Sequence, residues 1–510
     1  MTAKVLMVQG TGSSVGKSIL VAALCRILRQ DGWNVAPFKA QNMSLNSFVT
    51  RDGGEMGRAQ VVQAEAACVD PSVDMNPILL KPEADNRSQV IVRGKPVNTQ
   101  SAREYYSQKE HLWAIVCESL ERLRAEYEVV VIEGAGSPAE INLRDMDMVN
   151  MAVACYCQAP VLLVADIDRG GVFASIVGTL ELLELDERAL IKTVVINKFR
   201  GDLSLLTPGL TWLEKKTGIP VAGVIPYYHD IRIAEEDSVP LEKRKQMKSD
   251  DSHLLDIAVI HLPHMANFDD FDPLEQENGV RLRYVEGKGS LGHPDLIILP
   301  GTKSTISDLQ YIKRNGITDE IITLAQDDLP VIGICGGYQM LGELILDPQQ
   351  VESKYAQVEG LRLLPITTSF FPEKWTHQVK GRVVQNDGLL RRALGLSITG
   401  YEIHMGQTVG NHMKPLFQIE ERSRKSCFDL DGCHSIEGEV LGTYLHGLFH
   451  NKEVRRSILA ELAARKGVNL RFGDDVCSKE EEYDKLASLM RNNLDMKLVY
   501  RIIGQDMKTV

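Results

Sequence analysis

A glycine-rich segment near the start of the chain ends in a lysine and a serine, a pattern suited to holding phosphate groups. It reads Gly10-Thr11-Gly12-Ser13-Ser14-Val15-Gly16-Lys17-Ser18. The segment follows a short apolar run and opens an amphipathic pattern, which is the strand–loop–helix context of a P-loop. Backbone N–H groups of such a loop point at phosphate oxygens, and the helix N-terminus adds positive potential. We predict that this segment binds a nucleotide, with Lys17 at the β- and γ-phosphates and Ser18 on Mg²⁺.

The spacing of this segment departs from the usual GxxxxGK[ST] pattern. Thr11 occupies the place of the usual first glycine, with Gly10 and Gly12 on either side. A glycine-rich turn that only caps a buried helix is the alternative. The combination of Gly16 and Lys17 with the strand–loop–helix context favours the phosphate site.

Polar residues also stand immediately after three other predicted strands. Glu133, Asp166 and Asn197 each follow a buried apolar run. The C-terminal ends of parallel strands form the ligand crevice of an open sheet, so these side chains are expected near Lys17 and Ser18. Because carboxylate and water oxygens suit Mg²⁺, we predict that Glu133 or Asp166 completes its ligand shell. Asn197 is predicted to contact the nucleotide base, although each residue alone is equally typical of a helix N-cap or a turn.

A cysteine in the second half stands between glycines, where a buried apolar run meets a helical pattern. The segment reads Val331-Ile332-Gly333-Ile334-Cys335-Gly336-Gly337-Tyr338-Gln339. This G-x-C-x-G pattern is the thiol counterpart of the nucleophile elbow, a strained turn that exposes the side chain. The helix N-terminus that follows favours the thiolate. We predict that Cys335 is a catalytic nucleophile, because a buried structural cysteine would not need glycines on both sides.

Two further strand ends offer the base and the oxyanion hole that a thiolate nucleophile needs. One segment reads Gly442-Thr443-Tyr444-Leu445-His446-Gly447, and another reads Pro300-Gly301-Thr302-Lys303-Ser304. We predict that His446 is the base and that backbone amides at Gly301 and Gly336 form the oxyanion hole. A single histidine is more often structural, so this prediction depends on the three strand ends together.

Short apolar runs alternate with amphipathic segments along most of the chain. In the first half we predict strands at 5–8, 129–132, 161–165, 193–196 and 221–225, and helices at 18–29 and 111–126. In the second half we predict strands at 257–260, 296–299, 331–334 and 440–444, and a helix at 482–491. Continuous β-branched runs that alternate with helices predict a doubly wound, parallel α/β sheet in each half.

A charged segment at 234–252 separates the two halves. It has no apolar periodicity and is interpreted as a linker, with a solvated helix as the alternative. The predicted domains are therefore 1–233, which carries the P-loop, and 253–510, which carries Cys335. A length of 510 residues agrees with more than one domain.

The composition argues against several classes of protein. A formal net charge of −12 disfavours a general nucleic-acid binder, and 44% hydrophobic residues exclude a disordered chain. Nine cysteines without paired spacing predict reduced thiols rather than a disulfide framework. The N-terminus shows no signal-peptide pattern, and no apolar run is long enough to span a bilayer. We expect a cytoplasmic protein that binds neither nucleic acid nor membrane.

These motifs together resemble one family over essentially the whole chain. The first half is similar to dethiobiotin synthetase-like ATP enzymes, and the second half is similar to class I glutamine amidotransferases. The order of the halves resembles that of the cobyric acid synthase family. Five segments also resemble it: Ala40-Gln41-Asn42-Met43-Ser44-Leu45-Asn46-Ser47, Ser137-Pro138-Ala139-Glu140-Ile141-Asn142-Leu143, Pro300-Gly301-Thr302-Lys303-Ser304-Thr305, Tyr401-Glu402-Ile403-His404 and Tyr444-Leu445-His446-Gly447.

The resemblance implies a glutamine-dependent amidation. Glutamine is hydrolysed at Cys335, and ammonia passes to the P-loop domain, where a corrinoid carboxylate activated by ATP becomes an amide. The family acts on the b, d, e and g carboxylates of adenosylcobyrinic acid a,c-diamide. The implied partners are glutamine, ATP with Mg²⁺, and a corrinoid, whereas no oligomeric state is implied. Asn42 and Arg144 or Asp145 are predicted to border the corrinoid, with a solvated helix start as the alternative for the last two.

One position departs from the class I amidotransferase pattern. Many such triads carry a glutamate two residues after the histidine, and Leu448 occupies that place here. Either another residue orients His446, for which Glu402 is the candidate, or the site is a Cys–His dyad, which the cobalamin branch resembles.

Three alternative functions fit these motifs less well. A cobyrinic acid a,c-diamide synthase has the same two modules but other target carboxylates, and the stretches 42–47 and 138–143 disfavour it. A MinD-like partitioning ATPase would lack the Cys335 domain and would usually carry a C-terminal membrane helix, whereas 498–510 has no strong amphipathic face. A degenerate amidotransferase that acts only as a structural module disagrees with intact Cys335 and His446.

Overall fold

The computed structural model describes residues 2–84, 87–228, 231, 233, 254–410, 414–436, 438–473 and 478–504. The predicted linker at 234–252 lies outside these residues. None of the helices found in these ranges combines the length and apolar character needed to cross a membrane.

The first half is built on a six-stranded parallel sheet. In spatial order its strands are Val221–Pro226, Ile191–Phe199, Val161–Asp166, Lys4–Gly10, Val129–Glu133 and Val35–Phe38. Five of them confirm predicted strands, whereas Val35–Phe38 is too short and contains a proline, so no apolar run marks it. The strand Lys4–Gly10 leads into the glycine-rich loop, and its two neighbours end at Glu133 and Asp166. The sheet therefore brings the predicted phosphate-site residues to one edge.

Helices cover both faces of this sheet. They are Lys17–Gln30, Arg58–Ala66, Ala102–Tyr106, Lys109–Glu126, Met151–Cys157, Val172–Leu182, Leu185–Leu190 and Leu203–Thr217, with short 3-10 turns at Val73–Met75 and Ile141–Met146. Alternate residues of the first strand pack into two separate cores, Val5 and Met7 into one and Leu6 and Val8 into the other. Burial on both faces explains why these strands read as continuous apolar runs.

The last two helices of the chain also pack on this first sheet. Lys479–Asn493 and Met496–Ile503 place side chains such as Leu486 and Val499 in one of its two cores. This packing joins the end of the described chain to the first sheet, whereas the domain bounds of 1–233 and 253–510 stay predictions. Met496, Val499, Tyr500 and Ile503 share the buried face of the last helix, so the expectation that 498–510 has no strong amphipathic face is wrong for the part that the structure describes. Apolar periodicity identifies a helix in this region, but it does not say which sheet the helix covers.

A second six-stranded sheet forms the centre of the second half. In spatial order its strands are Val280–Val285, Leu255–Ile260, Leu296–Leu299, Val331–Ile334, Val440–Thr443 and Cys433–His434. The first five run parallel, and the last pairs antiparallel at the edge. The accompanying helices are Asp272–Glu275, Thr305–Arg314, Ile317–Gln326, Gly336–Leu341 and Lys452–Lys466, with 3-10 turns at Phe268–Phe271, Gly388–Leu390 and Leu448–His450. The predicted α/β architecture is confirmed in both halves.

A seven-stranded, mostly antiparallel sheet extends the second half and has no counterpart in the sequence prediction. Its strands are Gln357–Glu359, Leu344–Leu346, Ile366–Val383, Ser397–Gly410, Leu445–His446, Phe417–Arg422 and Lys425–Asp431. The longest, Ile366–Val383, mixes buried and exposed residues and many polar ones, so no continuous apolar run marks it. Ser397–Gly410 pairs with Leu445–His446, which carries the predicted base.

Two small sheets of the first half complete the interface between the halves. One contains Gln41–Met43, Ile78–Ala84, Arg87–Val92 and Lys95–Ser101, and the other pairs Ser47–Val49 with Glu55–Gly57. Phe48 and Val49 of the second pack with Tyr401 and Ile403 of the long antiparallel sheet. The two halves therefore share a buried contact close to the predicted base.

Candidate active sites

The glycine-rich loop closes on itself around the side chain of Lys17. The Nζ atom of Lys17 donates to the backbone oxygen of Gly12, within the loop, at 2.8 Å. It also donates to the backbone oxygen of Gly136, which follows the strand that ends at Glu133, at 3.0 Å. Gly16 has a φ of 102°, and a Cβ there would lie 2.1 Å from Nδ2 of Asn197. Both the backbone conformation and the available space therefore require glycine at this position. The nucleotide-binding role of the loop stays a prediction, which this geometry supports.

Asn197, the predicted base contact, lies against the same loop. Its Nδ2 donates to the backbone oxygen of Val15 at 2.9 Å. The next residue, Lys198, donates through Nζ to the backbone oxygen of Ser14 at 2.6 Å and to Oδ2 of Asp166 at 2.9 Å. Asn197 and Lys198 thus support the loop backbone. A contact between Asn197 and the base stays a prediction.

Of the two predicted metal carboxylates, Glu133 lies directly beside Ser18. The Ser18 hydroxyl donates to Oε1 of Glu133 at 2.7 Å, and Nζ of Lys39 donates to the same oxygen at 3.0 Å. Burial opposes ionisation of Glu133, but the Lys39 charge and the hydrogen bonds from Gln63 and Ser18 hold its pKa below the ordinary value. An ionised carboxylate beside this hydroxyl suits Mg²⁺. Glu133 and Asp166 are each paired with a lysine, so the hydrogen bond from Ser18 is the contact that favours Glu133.

Cys335 occupies a strained turn between a strand of the second sheet and the helix Gly336–Leu341. Its φ is 52° and its ψ is −106°, a conformation that a residue with a side chain rarely adopts. A Cβ on Gly337 would lie 2.0 Å from the backbone oxygen of Leu299, so this glycine lets the helix approach the neighbouring strand. This is the geometry of the predicted nucleophile elbow.

His446 contacts both the Cys335 thiol and a carboxylate that the sequence analysis does not identify. Its Nδ1 lies 2.7 Å from Oδ2 of Asp270, and the backbone N–H of Gly447 donates to Oδ1 of Asp270 at 2.7 Å. Burial lowers the pKa of His446, but the charge and hydrogen bond of Asp270, together with Cys335, outweigh burial and raise it to about 10. Cys335, His446 and Asp270 therefore form a triad in which Asp270 orients the imidazole.

Glu402 is wrong as the candidate orienter of His446. Its carboxylate accepts two hydrogen bonds from Arg422, at 2.8 Å from Nε and 3.0 Å from the guanidinium NH2 group. The actual partner, Asp270, precedes His446 by 176 residues, so no local spacing identifies it. The surrounding segment also contains Asn267, Asp269 and Asp272, so no feature of the sequence singles out Asp270.

The loops of Gly301 and Gly336 meet beside His446. A Cβ on Gly301 would lie 2.7 Å from Cε1 of His446, and a Cβ on Gly336 would lie 3.2 Å from the backbone nitrogen of Thr302. Gly336 opens its helix, where backbone N–H groups have no acceptor within the helix. The placement supports the predicted oxyanion hole, which stays a prediction.

A pocket beside Cys335 and His446 is lined by both halves of the chain. Lys81 of the first half and Lys374 of the long antiparallel sheet both face it. Their Nζ atoms lie 2.9 Å and 2.5 Å from the two carboxylate oxygens of Glu55, a residue of the first half. Burial lowers the pKa of Lys374 to about 8 in spite of the Glu55 charge. The P-loop half therefore contributes Lys81 to the lining of this pocket.

Glu352 places a carboxylate in this pocket and has no sequence motif around it. Its Oε1 accepts a hydrogen bond from the backbone of Ile306 at 3.0 Å, and its buried Oε2 has no hydrogen-bond partner in the part of the chain that the structure describes. Burial raises the pKa of Glu352 to about 8. The carboxylate of Asp347 accepts from the backbone N–H groups of 351–353 at 2.8, 3.0 and 2.8 Å, which fixes the loop.

The three predicted corrinoid contacts have different surroundings. Asn42 is 3% exposed and donates to a neighbouring glutamine at 3.0 Å, so a ligand would have to displace this packing to reach it. Arg144 and Asp145 lie on an exposed 3-10 turn. Arg144 pairs with Glu184 at 2.6 Å. A corrinoid contact by any of them stays a prediction.

Comparisons with known proteins match each half of the chain to a known domain and the whole chain to full-length relatives. Residues 6–241 match the CobQ/CobB/MinD/ParA nucleotide binding domain, and residues 256–454 match the CobB/CobQ-like glutamine amidotransferase domain. A cobyric acid synthase of Dehalococcoides mccartyi (strain CBDB1) is 52% identical over 506 residues, which cover 99% of this chain and 100% of the relative. The cobyric acid synthase of Desulfitobacterium hafniense (strain DSM 10664 / DCB-2) is 52% identical over 98% of each chain, and that of Sorangium cellulosum (strain So ce56) is 51% identical over 99% of this chain and 100% of its own. The chain therefore belongs to the cobyric acid synthase family.

Proposed function

We propose that this protein is an ATP- and glutamine-dependent ligase that amidates the b, d, e and g carboxylates of adenosylcobyrinic acid a,c-diamide to give adenosylcobyric acid. The observation that carries the proposal is the pairing of a closed P-loop beside Glu133 with the Cys335–His446–Asp270 triad, in two halves that both contribute to the pocket beside Cys335. The whole-chain similarity to cobyric acid synthases supports the corrinoid substrate. The cysteines that the structure describes are unpaired, which supports a cytoplasmic location.

In the amidotransferase half, the Cys335 thiol is the nucleophile. His446 takes its proton, and Asp270 holds Nδ1 of the ring so that Nε2 is the atom that exchanges the proton. The thiolate attacks the side-chain amide carbon of glutamine, and backbone amides at Gly301 and Gly336 hold the oxyanion. His446 then gives the proton to the leaving ammonia, and water hydrolyses the thioester to glutamate.

In the P-loop half, a carboxylate is a poor electrophile and must first be phosphorylated. Lys17, held by the backbone oxygens of Gly12 and Gly136, balances negative charge as the γ-phosphoryl group passes to a carboxylate oxygen. Ser18 and Glu133 would hold Mg²⁺, which when bound neutralises phosphate charge. Within the described residues no three His, Cys, Asp or Glu side chains cluster, so Mg²⁺ at Ser18 and Glu133 would take its other oxygens from phosphate and water. Ammonia displaces phosphate from the acyl phosphate and forms the amide.

The choice of corrinoid separates this proposal from its nearest rival. Purified protein supplied with glutamine, ATP and Mg²⁺ should amidate adenosylcobyrinic acid a,c-diamide, with one ATP and one glutamine consumed for each amide. Chromatography with mass spectrometry follows the products. Consumption of cobyrinic acid in place of its a,c-diamide would indicate a cobyrinic acid a,c-diamide synthase. ATP hydrolysis without amide formation would indicate a MinD-like ATPase.

We propose that the Glu352 carboxylate binds the α-ammonium group of glutamine. We expect Glu352→Gln to raise the KM for glutamine by about 10- to 100-fold, because a hydrogen bond to a charged group contributes about 1.5–3 kcal/mol. The kcat should change little, since the side-chain amide oxygen introduced at position 352 can still accept the hydrogen bond from the backbone N–H of Ile306. KM and kcat are measured by glutamate release. The control is the glutamine analogue without the α-amino group, which both proteins should hydrolyse equally; an unchanged KM for glutamine would contradict the assignment.

The raised pKa of Glu352 adds a pH dependence to this binding. Below a pKa of about 8 the carboxyl is mostly neutral, and an ammonium binds its ionised form, so binding releases a proton. The KM of the wild-type protein should therefore fall as pH rises from about 7 to about 8.5, whereas that of Glu352→Gln should lack this change.

The metal assignment is tested by exchanging the two candidate carboxylates for amides. Glu133→Gln should raise the Mg²⁺ concentration needed for ammonium-dependent amidation by at least about 10-fold, since it removes the charge beside Ser18. Asp166→Asn is the matched control and should shift the Mg²⁺ titration less, because it leaves the Glu133 carboxylate beside the Ser18 hydroxyl in place. Binding of an ATP analogue at graded Mg²⁺ gives the same comparison without turnover. An unchanged titration in Glu133→Gln would reject Glu133 as a ligand.

A further inference from the structure

Asp270 lies on a short turn whose neighbouring residues face the other half of the protein. The turn is Phe268–Phe271, which the chain enters through Asn267 at a φ of 54°. Asp269 and Asp270 are both buried. Asp270 faces His446, whereas Asn267, Phe268 and Asp269 contact residues of the P-loop half. The position of the carboxylate that orients His446 therefore depends on contacts from outside the amidotransferase half.

Two reciprocal hydrogen bonds join the start of this turn to the P-loop half. The backbone N–H of Ser47 donates to Oδ1 of Asn267 at 3.0 Å, and the backbone N–H of Phe268 donates to Oδ1 of Asn46 at 3.3 Å. All four residues are buried. A buried N–H group that loses its acceptor costs about 1–3 kcal/mol, so the turn is held in register with the segment that carries Asn46 and Ser47.

Arg58 of the P-loop half anchors the same turn by charge. Its guanidinium lies 3.3 Å from Oδ2 of Asp269, and each of the two side chains is 5% exposed. Burial alone would raise the pKa of Asp269, but the Arg58 charge outweighs burial and holds that pKa below the ordinary value. Asp270 is the next residue, and without Arg58 two adjacent buried carboxylates would repel each other. Arg58 thus stabilises the turn in which Asp270 serves His446.

A second series of contacts runs from Arg58 to the ring of His446. The guanidinium of Arg58 lies 5.3 Å from the ring centroid of Phe48, which also belongs to the P-loop half. Phe48 packs edge-on against Tyr401 at 5.4 Å, and Tyr401 stacks on His446 at 5.2 Å with an interplanar angle of 12°. The same arginine therefore supports both the carboxylate partner and the ring face of the base.

The helix that begins with Arg58 is itself fixed at the phosphate site. In Arg58–Ala66, Nε2 of Gln63 donates to Oε2 of Glu133 at 2.5 Å. One short helix thus joins the proposed metal carboxylate to the turn of Asp270. Arg58 and Gln63, which make these two contacts, both belong to the P-loop half. The second half alone therefore does not contain everything that positions its triad.

We propose that Arg58 is a positioning residue of the glutaminase, through which the P-loop half sets the contact between Asp270 and His446. This inference rests on the proposed function and goes beyond it, because it places part of the glutaminase machinery in the synthetase half. Arg58 touches neither glutamine nor the thiol. It acts by holding Asp269, and with it Asp270, in the position that orients the imidazole.

The test compares Arg58→Met with Arg58→Lys in the full-length protein. We expect Arg58→Met to lower kcat for glutamine hydrolysis by at least about 10-fold while KM stays within about twofold, because the orienting carboxylate and not the glutamine pocket is disturbed. Arg58→Lys should recover part of the loss, since it restores a positive charge beside the Asp269 carboxylate. The alkylation rate of Cys335 by iodoacetamide, followed on its peptide by mass spectrometry, should fall in Arg58→Met because His446 no longer supports the thiolate.

Two controls separate this role from general destabilisation. Ammonium-dependent amidation by Arg58→Met should stay within about twofold of wild type. Arg26→Met removes another buried arginine of the P-loop half, one that pairs with Asp484 at 2.7 Å, and should leave glutamine hydrolysis unchanged. Equal loss of hydrolysis and ammonium-dependent amidation in Arg58→Met, or an unchanged kcat for hydrolysis, would overturn the inference. A wild-type protein that forms no amide on adenosylcobyrinic acid a,c-diamide from either nitrogen source would reject the proposed function instead.

Discussion

Replacement of Cys335 by serine should abolish glutamine-dependent amidation and spare amidation from added ammonium. Loss of a catalytic nucleophile lowers turnover by at least about 10³-fold, and a serine hydroxyl in the same turn is a far weaker nucleophile than a thiolate. The sulfur acts only in releasing ammonia, and the P-loop site receives ammonia from either source. Both activities are measured on the same preparation by amide formation on the corrinoid, at saturating glutamine or at high ammonium and alkaline pH.

The control for this prediction is a cysteine of the same half that lies outside the triad. Cys427 is half-buried, and its Sγ lies 3.7 Å from the backbone oxygen of Ile419, on strands away from the elbow. Cys427→Ser should keep both activities. If Cys335→Ser folds and loses ammonium-dependent amidation to the same degree as glutamine-dependent amidation, the two sites are not separable and the proposed division of labour is wrong.

The parallel sheets were predictable because their strands are buried on both faces. Runs such as 129–132 and 161–165 need apolar side chains at every position, so they stand out from the polar segments around them. The strands Ile366–Val383 and Ser397–Gly410 carry polar residues on an exposed face, and no comparable run marks them. The sequence therefore predicts the two centres of the fold and leaves out the antiparallel sheet that lies beside His446.

Candidate site residues could be predicted where one residue and its own neighbours carry the signal. Cys335 needs glycines around it because of its strained backbone, and Lys17 needs the glycine-rich loop that surrounds it. Asp270 and Glu352 need only a buried position that a distant segment provides, and their neighbours carry no pattern. Arg58 is an ordinary charged residue in the sequence. Its ion pair with Asp269 exists only because the two halves of the chain fold against each other.

Replacement of Lys17 by alanine should show the opposite selectivity to the cysteine variant. Amidation should fall by at least about 10²–10³-fold with either nitrogen source, which is the loss that follows removal of one positioned group that stabilises transition-state charge. The reason is geometric, since Nζ of Lys17 is held inside the loop by two backbone oxygens at 2.8 and 3.0 Å. Glutamine hydrolysis should continue, because the Cys335 triad receives no contact from Lys17.

Another lysine of the P-loop half provides the control for Lys17→Ala. Lys192 is an exposed lysine of the P-loop half that donates to the backbone oxygen of Ala189 at 2.7 Å, and Lys192→Ala should keep full activity. Ammonium-dependent amidation that survives in Lys17→Ala would reject the loop as the phosphoryl site.

A mixture of Lys17→Ala and Cys335→Ser supplies one working site of each kind, on different molecules. Product in that mixture must form from ammonia released into solution, so an enzyme that removes free ammonia should abolish it.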